Sequence, residues 1–183
     1  YVKNYYTTHE SRIWLRKDKP MTVAPSAVAV PDYYADIPIV REGIARKYSN
    51  IESLDKEVGV LLDQLEADGV MENSVIFFWS DHGGNLLRQK RAVGDSGLHV
   101  PLIIRYPDGY RAGETENRLV SLMDLGPTVM SLAGITPPDY MDGKAFAGPF
   151  EEAPRDYIFG SAGRFAESTD MLRSVLVGGY VCI

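Results

Sequence analysis

Asp81, His82, Gly83 and Gly84 stand in a row directly after an apolar run, Val75-Ile76-Phe77-Phe78-Trp79, and one further residue, Ser80. A carboxylate beside an imidazole, on glycines that let backbone and ligand approach closely, suits a divalent metal. An Asp followed by glycines after a strand also reads as a plain turn, so both readings stand at this point. Further polar residues follow within a short distance: Lys90, Arg91 and His99. Lys90 and Arg91, with Arg88, form a local cluster of cations in a chain of net charge -6. Far upstream, His9-Glu10 invites comparison with a zinc-protease helix, but Ile13 stands where that motif needs its second histidine.

These residues need elements to position them. Val75 to Trp79 are all β-branched or aromatic and too few for a helix. The run predicts a strand buried on both faces, as in a parallel sheet, with Asp81 and His82 just beyond its carboxyl end, where open α/β sheets bind ligands. Asp36-Ile37-Pro38 predicts a helix start, a capping residue followed by proline in the first turn. Val40, Ile44, Tyr48, Ile51, Leu54, Val58, Leu61 and Leu65 then recur at steps of three and four, and Gly69 is the expected stop. Arg41, Arg46, Lys47, Glu52 and Lys56 fall on the other face and are expected to be solvated.

Leu98 to Arg105 predicts a second buried strand, and about Asp124 to Ala133 a helix capped by Asp124 and stopped by Gly134. Pro137 to Pro154 reads as a linker or wrapping loop. Beyond it, Met171 to Val177 and Tyr180 to Ile183 are apolar runs joined by Gly178-Gly179, a hairpin signal. The expected organisation is therefore an α/β domain with a mainly parallel sheet flanked by helices over 1–136. A linker over 137–154 follows, then the start of a small C-terminal antiparallel unit over 155–183.

At 183 residues, 45% hydrophobic and 24% charged, the composition is that of an ordinary globular chain. The negative charge argues against general nucleic-acid binding, and no apolar run approaches membrane-spanning length. Cys182 is the single cysteine and, between Val181 and Ile183, is expected to be a buried strand thiol. Neither an initiator Met nor a signal peptide opens the chain, which is expected to be an internal fragment of a longer protein.

Taken together, these stretches resemble the sulfatase family of the alkaline-phosphatase-like superfamily. The likeness is carried by Tyr48-Ser49-Asn50-Ile51-Glu52-Ser53-Leu54-Asp55-Lys56-Glu57-Val58-Gly59 and by Phe78-Trp79-Ser80-Asp81-His82-Gly83-Gly84. Lys90, the run Gly97-Leu98-His99-Val100-Pro101, and Asp124-Leu125-Gly126-Pro127-Thr128 continue it in order. The resemblance implies that Asp81 and His82 help to hold a divalent metal, calcium in most of the family. Imidazole is an unusual calcium ligand, which leaves open another metal or a hydrogen-bonding His82. It further implies that Lys90 contacts the sulfate oxygens and that His9 protonates the leaving group, with Arg91 and His99 as weaker substrate-binding candidates. Heparan-type N-sulfohydrolases and arylsulfatases are the members it resembles, so a sulfated small molecule or saccharide is the implied substrate. A periplasmic, extracellular or lysosomal setting is implied with it.

The family's nucleophile is a formylglycine made from the first residue of a Cys/Ser-x-Pro-x-Arg motif, and this sequence contains no such motif. It is expected outside the chain. Two other functions compete: a phosphodiesterase or phosphonate hydrolase on the same scaffold, and a non-catalytic relative that binds anionic glycans.

Overall fold

The computed structural model describes residues 19–86, 88–165 and 168–183. Helix α1 spans Pro38–Ala67, strand β1 Ile76–Trp79, a single helical turn α2 Asp95–Leu98, and strand β2 Leu102–Arg105. Helix α3 follows over Leu125–Leu132, then β3 over Tyr157–Phe165, β4 over Ser168–Val177 and β5 over Tyr180–Cys182. β1 and β2 form a two-stranded sheet, and β3, β4 and β5 an antiparallel three-stranded one. The described residues divide into two compact units. One holds 19–77, 84–90 and 104–110, and the other 78–83, 91–103 and 111–183.

In the first unit α1 is unbroken and starts with Pro38 in its first turn, where a missing N–H costs nothing. Its cap differs from the expectation. Ile37 is the capping residue, and Asp36 instead takes Arg41 Nε and Nη2 at 2.5 and 2.7 Å. At the far end, Gly69 adopts φ +69°, its N–H reaches the Glu66 carbonyl and that of Val70 the Leu65 carbonyl. That pair of bonds is a Schellman cap, and the left-handed residue in it is why glycine ends this helix.

The core of this unit joins Val28, Val40, Ile44, Ala45 and Leu86, with Val23, Val30, Tyr34 and Ile39 packed against it. Of the helix face expected to be solvated, Glu52 and Lys56 are exposed, but Arg41 and Arg46 hold chain instead. Arg41 Nη1 donates to the Val28 carbonyl at 3.0 Å and Arg46 Nη1 to that of Lys19 at 2.7 Å. Ser49, fully buried, accepts the N–H groups of Thr22 and Val23, both at 3.0 Å, and donates to the Ala45 carbonyl. Farther along α1, Tyr48, Ile51, Leu54 and Leu61 of the expected apolar stripe are exposed.

In the second unit the loop at 137–154 wraps α3. Asp124 takes the N–H of Lys144, Thr128 that of Phe146 and Ser131 that of Phe150. Gly148, at φ +90°, lies so close that a Cβ there would sit 2.5 Å from Ser131 Oγ. Gly143 likewise abuts the Met123 carbonyl, so both glycines make room for backbone contact. The hairpin is as the sequence predicts. Val177 pairs with Tyr180 across Gly178 and Gly179, whose φ values of +54° and +81° are those of a type I′ turn.

Three further expectations change. The strand before Asp81 is half-buried, with Trp79 47% exposed. The second strand begins only at Leu102, because Asp95–Leu98 closes into a helical turn. Cys182 is exposed, since β5 places its apolar neighbour Val181, not the thiol, on the better covered side.

Candidate functional site

The end of β1 delivers Ser80, Asp81 and His82 into a turn fixed by backbone bonds. The Gly83 N–H donates to the Gly97 carbonyl at 2.9 Å, and Ser80 Oγ donates to the His82 carbonyl at 2.6 Å. The Asp81 side chain is 81% exposed, and His82 Nε2 lies 3.5 Å from Asp81 Oδ2. On its other edge His82 Nδ1 lies 2.7 Å from the Gly83 carbonyl oxygen. A carbonyl only accepts, so Nδ1 carries a proton, and in the neutral ring Nε2 then bears the lone pair.

In that neutral form a lone pair and a carboxylate oxygen face one another. A backbone carbonyl fixing the tautomer through the far nitrogen is the usual support of a metal-binding histidine. The pair fits two positions of a divalent cation's donor set. Among the described residues no group of three or more His, Cys, Asp or Glu side chains is gathered to complete one. The mixed oxygen and nitrogen donors also leave the choice of cation open, as the sequence does.

Lys90 lies in the first compact unit, at the end of the segment 84–90. Its backbone N–H donates to the Gly84 carbonyl at 2.9 Å, and its side chain is half-buried. Arg88 and Arg91 on either side adopt φ +62° and +65°. Left-handed backbone at a non-glycine residue costs on the order of 1 kcal/mol and tends to gather at functional turns. Arg91 is exposed, as is His99, whose Nδ1 lies 3.3 Å from Asp95 Oδ1 one helical turn back. Asp81 and His82 are thus brought together, His99 is paired with Asp95, and His9 lies outside the described residues.

Lys47 belongs to this neighbourhood and was not to be found by its residue type. It is half-buried and donates from Nζ to Gln89 Oε1 at 2.9 Å. Gln89 itself is only 8% exposed. Burial pushes the Lys47 pKa below its ordinary value. The signal that finds it is spacing: Lys47 stands three residues after Ile44 and seven after Val40, on the buried stripe of α1. Tyr48, which the periodic reading places there, is exposed.

A sequence model of the family described as Sulfatase matches residues 2–135. An ulvan-active sulfatase of Formosa agariphila is 38% identical over 174 residues, which are 94% of this chain and 29% of that protein. The N-sulphoglucosamine sulphohydrolase of Homo sapiens is 30% identical over 122 residues, 66% of this chain and 24% of its own. The N-acetylglucosamine-6-sulfatase of Bos taurus is 28% identical over 150 residues, 79% of this chain and 25% of its own. The chain spans less than a third of the length of each of these curated relatives.

Proposed function

The chain belongs to the sulfatase family, and from that premise we propose that the whole protein hydrolyses a sulfate ester or sulfamate on a saccharide. The observation that carries the reading is the Asp81–His82 pair, its Nε2 and Oδ2 turned toward each other at the end of β1. The saccharide is supported by relatives whose names speak of ulvan, N-sulphoglucosamine and N-acetylglucosamine. On this reading β1 and β2 belong to a larger, mainly parallel sheet over 1–136. Residues 137–154 link it to an antiparallel unit that starts at 155.

Each residue then has a task. Asp81 and His82 would help to hold a divalent metal, calcium in the family at large, which when bound would neutralise charge on the sulfate oxygens. Lys90 brings its ammonium to the same oxygens, where negative charge shifts as the bond from sulfur to the leaving oxygen or nitrogen breaks. His9 gives its proton to that leaving atom, a task for an imidazole of near-neutral pKa. Overall one water is consumed, and the products are the alcohol or amine and sulfate. The family's formylglycine provides the attacking oxygen, and this chain contributes the binding and proton-transfer side chains. Arg91 and His99 lie at the periphery of the reaction.

The test is steady-state kinetics of the whole enzyme on a sulfated saccharide, with a phosphodiester assayed in parallel. Lys90→Ala is expected to lower kcat on the order of a hundredfold or more, as loss of one oxyanion donor does. Arg91→Ala removes the same charge one residue away and is expected to stay within about tenfold, the scale of an exposed charge. Equal and modest losses, or a rise in KM alone for Lys90→Ala, overturn the assignment. Faster turnover of the phosphodiester overturns the sulfatase reading itself.

A further inference from the structure

We propose that Lys47 of α1 is a positioning residue for Lys90, clamping the segment 84–90 through Gln89 so that the Lys90 ammonium is presented to substrate. The inference rests on the reading of Lys90 as the sulfate-contacting lysine. Three attachments hold this segment, and all lie within one compact unit. Leu86, 4% exposed, enters the apolar core beside Val40, Ile44 and Ala45 of α1. Gln89 is buried next to Lys90 and accepts the Lys47 ammonium at 2.9 Å. The Gly84 carbonyl accepts the Lys90 N–H, closing the segment on itself.

Gly84 explains why the clamp fits. A Cβ built there would stand 2.7 Å from Gln89 Oε1, 2.8 Å from Lys47 Nζ and 2.9 Å from Lys47 Cε. The absent side chain is the space in which the Lys47–Gln89 bond is made. Gly84 has no positive φ, so alanine strains no backbone there and presses only on the ends of two flexible side chains. A half-buried ammonium bonded to a neutral amide is also a costly arrangement for a surface helix to keep. The lowered Lys47 pKa is the same cost seen from its proton. Arg88 and Arg91, held left-handed on either side of Gln89-Lys90, show that the segment is constrained at its backbone as well.

Two substitutions break the clamp from opposite sides: Lys47→Met keeps the aliphatic stem and removes the donor, and Gly84→Ala fills the space of the bond. The whole enzyme carries each of them alone and combined with Lys90→Ala. The first readout is amide hydrogen exchange at Lys90, which needs no activity. Both variants are expected to speed it on the order of tenfold while the amides of α1 stay protected. The second is turnover. Each variant is expected to lower kcat by about 10–100-fold, the range for residues that orient a functional group, and to leave KM within about twofold. In the Lys90→Ala background the same substitutions are expected to change kcat less than about twofold, because nothing remains to be positioned.

Unchanged exchange at Lys90 overturns the clamp whatever Lys90 does. Losses that multiply with that of Lys90→Ala mark Lys47 as a general stabiliser and overturn the positioning role. A Lys90→Ala loss within about tenfold overturns the reading on which the inference rests, and positioning with it, while exchange still reports separately whether the clamp exists.

Discussion

Asp124 is 2% exposed and accepts the N–H groups of Ser121 at 2.9 Å and Lys144 at 2.7 Å, together with Arg155 Nη2 at 2.5 Å and Nε at 3.0 Å. Asp81, in the same compact unit, has a side chain 81% exposed and lies beside His82 Nε2. Both carboxylates sit at the border of a regular element in stretches matched to one family. Burial alone pushes the Asp124 pKa up, but Arg155 and the two backbone donors outweigh it and hold the carboxyl below its ordinary value. A carboxylate given that many donors is spent on structure. One left open beside an imidazole nitrogen is available to a cation, the role proposed for Asp81.

The largest effect that tests this contrast is on activity. Asp81→Ala in the whole enzyme is expected to lower kcat/KM by on the order of a hundredfold or more, the scale of a lost metal-ligand contact or oxyanion donor. Its unfolding midpoint is expected to stay near that of the unmodified enzyme, because an exposed side chain adds little stability. A variant that unfolds easily and retains most turnover would make Asp81 a turn residue and erase the contrast.

Asp124→Ala is expected to do the reverse. Removing one partner of a buried pair strands Arg155 and the Lys144 and Ser121 N–H groups, at a cost of about 3–5 kcal/mol. Urea denaturation of the folded variant checks it. Once turnover is normalised to the folded fraction, kcat is expected to stay within about twofold. A smaller loss follows from acid. The Asp124 carboxyl has its pKa depressed by folding, so its contribution is complete above the ordinary Asp value of about 4. That contribution fades as pH falls below it through the folded-state value. The stability gap between the unmodified enzyme and Asp124→Asn is therefore expected to narrow from pH 7 toward pH 3. A gap that widens in acid would reverse the sign of this linkage.

The two aspartates also differ in how far the sequence discloses them. Asp81 is legible because a short apolar run, a carboxylate, an imidazole and two glycines form one local pattern, and the pattern leads to the family. Asp124 reads as the cap of α3 and does stand at its start, but its side chain makes no cap bond to that helix and instead takes the Ser121 N–H in a capping box one turn earlier. Its other donors come from Lys144 and Arg155, and only the wrapping of 137–154 brings them near. That wrapping is marked in the sequence by Gly143 and Gly148, yet glycines in a proline-rich stretch look the same in a loose linker. The hairpin at Gly178-Gly179 and the stop of α1 at Gly69 are legible because left-handed backbone selects glycine locally.

Lys47 is hidden for a different reason. Its spacing from Val40 and Ile44 fits the buried stripe, but Tyr48 fits an apolar period too, and a charged residue competing with an apolar neighbour is assigned to solvent by default. The packed helix shows that position 47 is covered while 48 is open. The half-exposed strand before Asp81 makes the same point. A β-branched and aromatic composition expresses a preference for cover and does not say what provides it.

The smallest expected effect concerns His99, which shares with His82 a carboxylate partner at similar distance. His82 Nε2 is 3.5 Å from Asp81 and His99 Nδ1 is 3.3 Å from Asp95, so distance does not separate the two pairs. Their settings do. His82 is tied at its second nitrogen to the Gly83 carbonyl and sits in a turn closed by Gly83 and Gly97. His99 caps a single helical turn, and its side chain is 79% exposed beside one 69% exposed. A contact that open is screened by water and salt and is worth at most about 1 kcal/mol. His99→Ala is accordingly expected to leave kcat and KM within about twofold and to shift stability by less than about 1 kcal/mol, whereas His82→Ala is expected to follow Asp81→Ala in activity. Kinetics and urea midpoints of the two histidine variants, measured side by side, decide it. A loss for His99→Ala as large as that for His82→Ala would place His99 against the substrate, and geometry within the turn would then no longer distinguish a working histidine from a surface one.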